Sequence, residues 1–391
     1  MLDSLVVVVF AVTLVLAVLQ SGLYRRTVLS NSLLFLIVGF IVGLMGWLNP
    51  HPNTPAVTGA VELALVSVLF TDSMTLDFNE LRKNWELPKR ALLLGMPVTF
   101  ILIAVLGIAL FHLSFPEALL IGAVLSPTDP ALASDFLEQE DIPIRVRRLL
   151  NIESGLNDGI ALPVIIILLR IIQGENLDLP RLAVDIVGGV SIGVAIPWVT
   201  HKLSQSRFFL VEDTYKSIYV FSIGATVIAL AKFAGTNTFL AAFCAGIVVA
   251  SLDKEARDAF LEFGKTISEL LKLTALFIFG ALLTPALFLK NDIATYVFAC
   301  LVLVIARPVA IFAALGNTHL PRLEKITLAW FGPKGFSSLL YALLVWQSGI
   351  PHLYPIFSII ALTLVISIVS HSSSGLLFVR KFQQKRPQVS K

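Results

Sequence analysis

The sequence predicts an all-α protein that crosses a membrane many times. Hydrophobic residues make up 57% of the 391-residue chain, charged residues only 14%, and the mean hydropathy is +0.87. Apolar runs of about twenty residues, the length of helix that spans a bilayer, recur from one end to the other. A large soluble core would instead place its apolar segments between long polar connections. We therefore predict a single polytopic domain over residues 1–391 with about 13 transmembrane helices.

The predicted spans follow one another with short connections. They cover residues 4–21, 29–48, 57–76, 91–111, 117–137, 149–172, 182–200, 216–233, 236–252, 271–289, 293–315, 326–347 and 353–378. The first run has no basic residues before it, whereas Arg25 and Arg26 follow it. We therefore expect a retained helix and not a cleaved signal peptide. The polar segment 253–272 is amphipathic, which favours a helix on the cytoplasmic face over a solvated connector.

Basic residues occupy every second connection. They cluster at residues 25–26, 82–90, 145–148, 202–216, 254–265, 322–325 and 380–391. The other connections hold only Arg181, Lys232 and Lys290. Because cytoplasmic connections are enriched in lysine and arginine, this pattern predicts an N-terminus outside and a C-terminus in the cytoplasm.

Cysteines and histidines give no sign of a metal centre. Cys244 and Cys300 fall in apolar spans, where they are expected to be small core residues. The histidines lie mostly in connections or near the ends of spans, so we expect no histidine proton relay. We prefer a surface role for them, with pH sensing as the alternative. They are His51, His112, His201, His319, His352 and His371.

Two spans contain helix breakers together with a charge. The fifth carries Ser126-Pro127-Thr128-Asp129-Pro130, and the twelfth carries Gly332-Pro333-Lys334-Gly335. Non-helical backbone at membrane depth persists only where it is buried in protein or lines a cavity. The two spans are seven apart and therefore cross in opposite directions, as the discontinuous crossing helices of an inverted repeat do. This pattern is typical of secondary transporters, and Asp129 and Lys334 are placed to compensate the half-helix dipoles.

The sixth span carries polar side chains at helical spacing. Glu153 and Asn157 lie on one face, and Ser154 and Asp158 lie on the next. Arg307 is the one deep base of the eleventh span and requires a carboxylate. We expect Glu153 to pair with Arg307, with a hydrogen bond from Asn157; direct ion binding by Glu153 is the alternative.

The deep charges leave one negative charge in excess. Asp129, Glu153 and Asp158 are acids, whereas Arg307 and Lys334 are bases. A further set of charged residues is treated as peripheral: Glu62, Asp72, Asp135, Arg170 and Asp185. We assign the excess to Asp158, because a desolvated carboxylate can take up either a proton or a small cation. Competition for one site predicts an exchanger, with Ser154, Thr128 and freed carbonyl groups as oxygen ligands for Na⁺.

At these residues the chain resembles the electroneutral cation:proton antiporters of the NhaP and NHE type. The matching stretches are Ser126-Pro127-Thr128-Asp129-Pro130, Glu153-Ser154-Gly155-Leu156-Asn157-Asp158, Phe239-Leu240-Ala241-Ala242-Phe243, Ala306-Arg307-Pro308 and Phe331-Gly332-Pro333-Lys334-Gly335. The resemblance implies a thirteen-helix homodimer. Its dimerisation part would be about 1–90 and 216–290, its core part about 91–172 and 293–380, and its linker helix about 182–200.

The resemblance also implies roles for individual residues. Asp158 would carry the ion and the proton, with Ser154 and Thr128 as ligands and Asp129 near the crossing. The supporting cluster would be Glu153, Asn157, Arg307 and Lys334. Electrogenic relatives carry Asp-Asp where this chain has Asn157-Asp158, which implies one proton per cation. Two positions depart from the pattern: Lys334 replaces an arginine of many relatives, and Thr71-Asp72 stand where a glutamate is common.

The expected function is exchange of Na⁺, with Li⁺ as a further substrate, for H⁺ across the plasma membrane. The alternative is K⁺/H⁺ antiport by the same fold. An ion channel would need a continuous polar path, and an intramembrane hydrolase using Ser154 and Asp158 would lack an obvious base. We therefore expect no enzymatic activity, no cofactor and no nucleic-acid partner. We expect a prokaryotic exchanger without the long regulatory tail of NHE-type relatives.

Overall fold

The computed structural model describes residues 2–20, 30–48, 50–51, 54–76, 85–129, 142–174, 178–206, 209, 211–289 and 292–385. Regular structure within these ranges is entirely helical, which confirms the all-α class. The basic residues at 25–26 and 82–83, together with Pro130, Asp135 and Lys290, lie outside the described residues.

The helices follow the predicted order of the spans. In the first half they are α1 (Leu2–Gln20), α2 (Asn31–Leu44), α3 (Pro55–Met74), α4 (Glu86–Arg90), α5 (Met96–Phe111), α6 (Phe115–Leu125), α7 (Ile144–Ile172) and α8 (Leu179–Ser204). In the second half they are α9 (Lys216–Phe233), α10 (Thr238–Leu252), α11 (Lys254–Leu282), α12 (Pro285–Leu289), α13 (Ile293–Leu301), α14 (Arg307–Leu315), α15 (Arg322–Trp330), α16 (Phe336–Gln347) and α17 (Tyr354–Lys385). Short 3₁₀ turns occupy Asp213–Tyr215 and Pro351–Leu353.

A helix lies at each predicted span. Within the described ranges, seven helical rods are long and apolar enough to cross a membrane, and five shorter apolar helices accompany them. The short ones include α6 and α16, which belong to the two spans with helix breakers. The number of helices that cross the bilayer stays a prediction.

Two of the long helices contain a π-helical segment that the sequence pattern did not reveal. Ala91–Gly95 joins α4 to α5, and Val302–Ala306 joins α13 to α14. Pro97 and Pro308 lie two residues beyond these segments. Proline has no N–H to donate to the helical hydrogen bonds, so it fits more easily where one helical turn is widened. The Ala91–Gly95 segment contacts α14, and the Val302–Ala306 segment contacts α5. This reciprocal packing relates spans four and eleven, as an inverted repeat requires.

The chain divides into two compact units. The first consists of Met1–Thr58, Glu86–Ser154 and Leu273–Lys391. Its middle segment ends at Ser154, within α7. A cluster of buried side chains forms part of its core and is contributed by α7, α14, α15 and the residues directly before α7 and after α15: Ile142, Val146, Leu149, Leu150, Ile311, Leu315, Leu328 and Phe331. This cluster lies directly beside the broken twelfth span, which begins with α15.

The second unit consists of Gly59–Trp85 and Gly155–Lys272. Its core joins α3, α9, α10 and α11, with Phe70 packed edge-on against Phe260 at 5.8 Å between ring centroids. Helix α11 confirms that residues 253–272 form a helix and not a solvated connector. It is not separate from the tenth span, however, because α11 runs without interruption to Leu282. Burial of Phe260 against Phe70 holds this face inside the unit, whereas Phe263 is half exposed.

Candidate functional site

The two broken spans meet through their backbones in the first unit. Helix α6 ends at Leu125 and α15 ends at Trp330, and non-helical segments follow both. The backbone N–H of Asp129 donates to the carbonyl oxygen of Pro333 at 3.0 Å. We call residues 126–129 and 331–335 the crossover. It confirms the predicted pair of discontinuous crossing helices, because each segment exposes helix ends that the other span can contact.

Asp129 compensates the N-terminal end of α16. Its Oδ2 atom accepts a hydrogen bond of 2.8 Å from the backbone N–H of Phe336, the first residue of that helix. The first N–H groups of a helix have no intrahelical partner and carry a partial positive charge. Gly335 permits the approach, since a Cβ atom there would lie 2.6 Å from the Cβ of Asp129. The acid and the glycine together cap the half-helix inside the protein.

Lys334 performs the opposite task at the C-terminal end of α6. Its Nζ atom donates to the carbonyl oxygens of Ser126 at 3.2 Å and Pro127 at 3.4 Å, and the side chain is fully buried. The carbonyl end of a helix carries the partial negative charge. The backbone N–H of Lys334 also donates to Ser367 Oγ at 2.8 Å. Each broken span therefore supplies the charge that the end of the other requires.

Arg307 and Glu153 form a buried ion pair next to the crossover. Arg307 Nη1 lies 2.8 Å from Glu153 Oε1, Nη2 lies 3.2 Å from Oε2, and both residues are 3% exposed. Nη2 also donates to the carbonyl oxygen of Leu328 at 3.2 Å. A Cβ atom at Gly332 would lie 1.7 Å from Arg307 Nε, so the guanidinium occupies the space that a side chain there would need. The partnership predicted from the scarcity of deep bases is present.

The remaining predicted residues are also buried. Thr128 is 3% and Ser154 8% exposed in the first unit, whereas Asn157 is 1% and Asp158 3% exposed in the second. These last three positions lie on one continuous helix, α7. Their roles as ion ligands and supporting residues stay predictions.

Two glycines flank Asp158 and let α7 pack closely within the second unit. A Cβ atom at Gly155 would lie 2.8 Å from the side chain of Leu76, and one at Gly159 would lie 2.4 Å from the ring of Phe243. At contacts under 3.0 Å a methyl group would force its neighbour to shift. The Gly-x₂-Asp-Gly spacing thus lets Leu76 and the Phe243 ring approach α7 closely on either side of Asp158 in the sequence.

The surface interpretation of the histidines is wrong for His371. The predicted span ended at residue 378, but α17 continues to Lys385, so His371 lies well inside the helix and is 3% exposed. Its Nε2 atom lies 3.1 Å from the carbonyl oxygen of Trp330, and its ring lies 5.1 Å from the Trp330 ring. The spacing of Ser367, His371 and Ser374, which places three polar residues on one helix face, was the available signal.

Several acids that were treated as peripheral have basic partners. Arg170 Nη1 lies 2.7 Å from Asp185 Oδ2, and Lys232 Nζ lies 2.7 Å from Glu62 Oε1. Asp72 Oδ2 lies 3.3 Å from Lys272 Nζ. The Lys272 contact was not foreseen, because residue 272 was assigned to the end of a separate surface helix. These pairs support the separation of peripheral charges from Asp129, Glu153 and Asp158.

Two discontinuous helices, reciprocal π segments and compensated helix ends inside a bundle of apolar helices define a class: the polytopic secondary transporters built from inverted repeats. The profile of the family described as "Sodium/hydrogen exchanger, transmembrane" matches residues 10–380. The chain belongs to this family.

Curated relatives and a solved structure resemble the chain over most of its length. It is 26% identical over 377 residues to the K(+)/H(+) antiporter NhaP of Alkalimonas amylolytica, covering 94% of this chain and 65% of that protein. It is 24% identical over 287 residues to K(+)/H(+) antiporter NhaP2 of Shewanella oneidensis, covering 72% of this chain and 50% of the relative. The chain thus spans less than two thirds of the length of these relatives. The sodium proton antiporter MjNhaP1 of Methanocaldococcus jannaschii has the same fold, with a TM-score of 0.76, 19% identity and 98% and 99% coverage of the two chains.

Proposed function

We propose that this protein is a secondary active transporter that exchanges Na⁺ for H⁺ in a 1:1 ratio across the plasma membrane. Li⁺ would be a further substrate, the N-terminus would lie outside and the C-terminus in the cytoplasm. The observation that carries the proposal is Asp158, a carboxylate only 3% exposed on a 29-residue helix of an inverted-repeat fold. Charge at such a position is costly, and ionisable groups inside membrane spans mark ion or proton pathways.

The charges of the first unit support a variable charge at Asp158. Arg307 is paired with Glu153, and Asp129 and Lys334 occupy opposite helix ends of the crossover. The formal charges of these four side chains cancel. Occupancy of Asp158 by a proton or by a monovalent cation therefore changes the charge of the interior by one unit in either case. Competition of this kind accounts for electroneutral exchange, because one cation replaces one proton.

Oxygen donors suit a hard cation such as Na⁺. We infer that Thr128 and Ser154 supply such donors in addition to the Asp158 carboxylate, with Asp129 shaping the crossover backbone. Ser154 precedes Asp158 by one helical turn on α7, and both hydroxyl residues are buried. Asn157 adds no titrating group next to Asp158 in the sequence, which agrees with the 1:1 ratio.

Alternating access would expose this site to each side in turn. We propose a homodimer in which residues 91–172 and 293–380 form the moving core. Residues 1–90 and 216–290 would form the dimerisation part, and 182–200 the linker helix. Reciprocal contacts of the two π segments with α14 and α5 support a symmetric core. Rocking or sliding of one repeat-containing part around a fixed site is the usual mechanism of such folds.

Potassium is the second candidate cation. The two curated relatives are both named as K⁺/H⁺ antiporters, whereas the solved structure is that of a sodium proton antiporter. Carboxylate, hydroxyl and carbonyl ligands serve both ions, so selectivity depends on the size of the cavity and the number of ligands. A direct comparison of cations therefore decides between the two substrates.

The test uses the purified protein in proteoliposomes that enclose a pH-sensitive dye. Addition of Na⁺, Li⁺ or K⁺ to the wild type should dequench the dye, and the cation with the lowest half-maximal concentration is the preferred substrate. Asp158→Asn should remove the signal for all three cations. Glu62→Gln is the matched control, because Glu62 is partly exposed and paired with Lys232. Exchange by a folded Asp158→Asn protein at the wild-type rate would refute the assignment.

A further inference from the structure

We propose that His371 is a positioning residue for ion exchange: it anchors the carbonyl end of α15 so that the crossover presents Thr128 and Asp129 in the geometry that cation binding requires. This inference rests on the proposed function, since it requires that Thr128 and Asp129 contribute to the cation site. His371 itself lies on α17, does not belong to the crossover, and would act only through the backbone of the twelfth span.

One face of α17 forms hydrogen bonds with residues 330–334 of the twelfth span. Ser367, His371 and Ser374 are separated by four and three residues and therefore lie in a row along the helix. The backbone N–H of Lys334 donates to Ser367 Oγ at 2.8 Å, and the indole N–H of Trp330 donates to Ser374 Oγ at 2.8 Å. His371 lies between them, with Nε2 at 3.1 Å from the Trp330 carbonyl oxygen. All three side chains thus hold residues 330–334, where helical hydrogen bonds are interrupted.

The surroundings of the imidazole ring determine where its proton lies. A carbonyl oxygen can only accept, so the contact with Trp330 requires an N–H on Nε2. Nδ1 lies 3.3 Å from Ser367 Oγ, which can donate to it, and 2.8 Å from the Ser367 carbonyl oxygen, which can accept from it. The imidazolium donates to both carbonyl oxygens, whereas a neutral ring donates to only one of them. We assign the Nε2–H tautomer to the neutral ring, with Ser367 Oγ donating to Nδ1, so that both protonation states keep the hydrogen bond to Trp330.

Charged groups near the ring belong to the same support structure. Lys334, on the crossover, and Arg307, on α14, both act on the ring electrostatically. Glu153, on α7, is the carboxylate that pairs with Arg307. The hydrogen-bond contacts of the imidazole are with the backbone of α15 and with Ser367, and not with these three side chains. His371 therefore fixes backbone position and is not a further member of the ion-pair network.

A short path connects this anchor to the cation site. Trp330 is three residues before Pro333, whose carbonyl oxygen accepts the backbone N–H of Asp129 at 3.0 Å. Thr128 directly precedes Asp129. A shift of the Trp330 carbonyl group is thus transmitted through one turn-like segment to the ligand-bearing backbone. Cation coordination tolerates only small displacements of its ligands, so a loosened anchor should weaken cation binding before it affects the rest of the fold.

Substitutions of His371 that differ in side-chain length test its hydrogen bond to the Trp330 carbonyl oxygen. The amide nitrogen of glutamine can occupy the position of Nε2, whereas that of asparagine corresponds to Nδ1 and is too short to reach Trp330. We therefore expect His371→Leu and His371→Asn to raise the apparent KM for the preferred cation roughly three- to tenfold, the effect of losing one hydrogen bond. His371→Gln should remain within about twofold of the wild type, and so should the control His352→Leu, an exposed histidine.

The measurement is dye dequenching in proteoliposomes across pH 6 to about 9, with Na⁺ and K⁺ tested separately. Unchanged KM values in folded His371→Asn and His371→Leu proteins would overturn the positioning role while leaving the exchanger assignment intact. Rescue by His371→Gln at only one end of the pH range would also overturn it, since titration of the ring would then be the active feature. If His371→Leu does not fold, the comparison of the asparagine and glutamine variants still decides. Absence of exchange by the wild type would remove both proposals.

Discussion

The buried pair of Arg307 and Glu153 allows a quantitative test of how the crossover is stabilised. Both residues are 3% exposed and are joined by contacts of 2.8 and 3.2 Å. Removing one partner leaves the other charge uncompensated in the interior, which costs roughly 3–5 kcal/mol. Arg307→Gln should cost more than Glu153→Gln. The reason is that Nη2 also donates to the Leu328 carbonyl oxygen, and an unsatisfied buried carbonyl adds roughly 1–3 kcal/mol.

The free energy of unfolding can be measured by titrating SDS into detergent micelles that contain the protein. The double variant Glu153→Gln/Arg307→Gln should be less destabilised than the sum of the single variants, because it leaves no lone charge behind. The control is the pair of Arg90 and Glu86, whose side chains are 38% and 81% exposed. Its coupling energy should stay under about 1 kcal/mol, as for other solvent-exposed pairs.

Exchanging the two charges should restore only part of the stability. A glutamate at position 307 can accept hydrogen bonds from an arginine at position 153, but it cannot donate to the Leu328 carbonyl oxygen. The swapped protein should therefore be more stable than either single charge reversal and less stable than the wild type. Additivity of the two neutral variants to within about 0.5 kcal/mol would show that the residues are not energetically coupled and would refute this reasoning.

Two further variants probe the crossover and the stoichiometry. Gly332→Ala places a Cβ atom 1.7 Å from Arg307 Nε, so it should lower the free energy of unfolding by roughly 1–3 kcal/mol in the SDS titration. Gly59→Ala, whose Cβ meets nothing within 4 Å, should not lower it, and equal stability of the two variants would contradict the steric argument. Asn157→Asp should leave exchange electroneutral if the second acid only forms an ion pair. Dye dequenching under an imposed membrane potential measures this, and a voltage-dependent rate would be inconsistent with it.

The crossover could be predicted because its residues are chemically conspicuous. Prolines and glycines interrupt two apolar spans, and a charge accompanies each interruption, so composition alone shows where the helices break. The pairing of Arg307 with Glu153 was predictable for a related reason: a deep arginine has few acids within reach, and an uncompensated guanidinium cannot remain in an apolar span. Such inferences are possible because charged residues are scarce in apolar spans, so that each one has few alternative partners.

Features that depend on precise helix geometry were not predictable in this way. Pro97 and Pro308 lie two residues beyond the π segments. Proline is common in membrane helices, however, and whether the helix kinks or widens into a π segment depends on the neighbouring helix. His371 was misjudged because the end of α17 was placed too early by hydropathy. The pairing of Asp72 with Lys272 was missed since a charged run was assigned to a separate helix. Boundaries set by tertiary packing are not encoded in local composition.

The mutual dependence of the two broken spans restricts how the protein can move. Lys334 of the twelfth span satisfies carbonyl groups at the end of α6, and Asp129 of the fifth satisfies the first N–H group of α16. Separating the spans would leave a buried ammonium group, a buried carboxylate and several backbone groups without partners, each of which costs free energy in the interior. Movement that keeps the crossover intact avoids all of these costs. Alternating access should therefore carry the fifth and twelfth spans together as one rigid element, with His371 and its neighbours on α17 moving along with them.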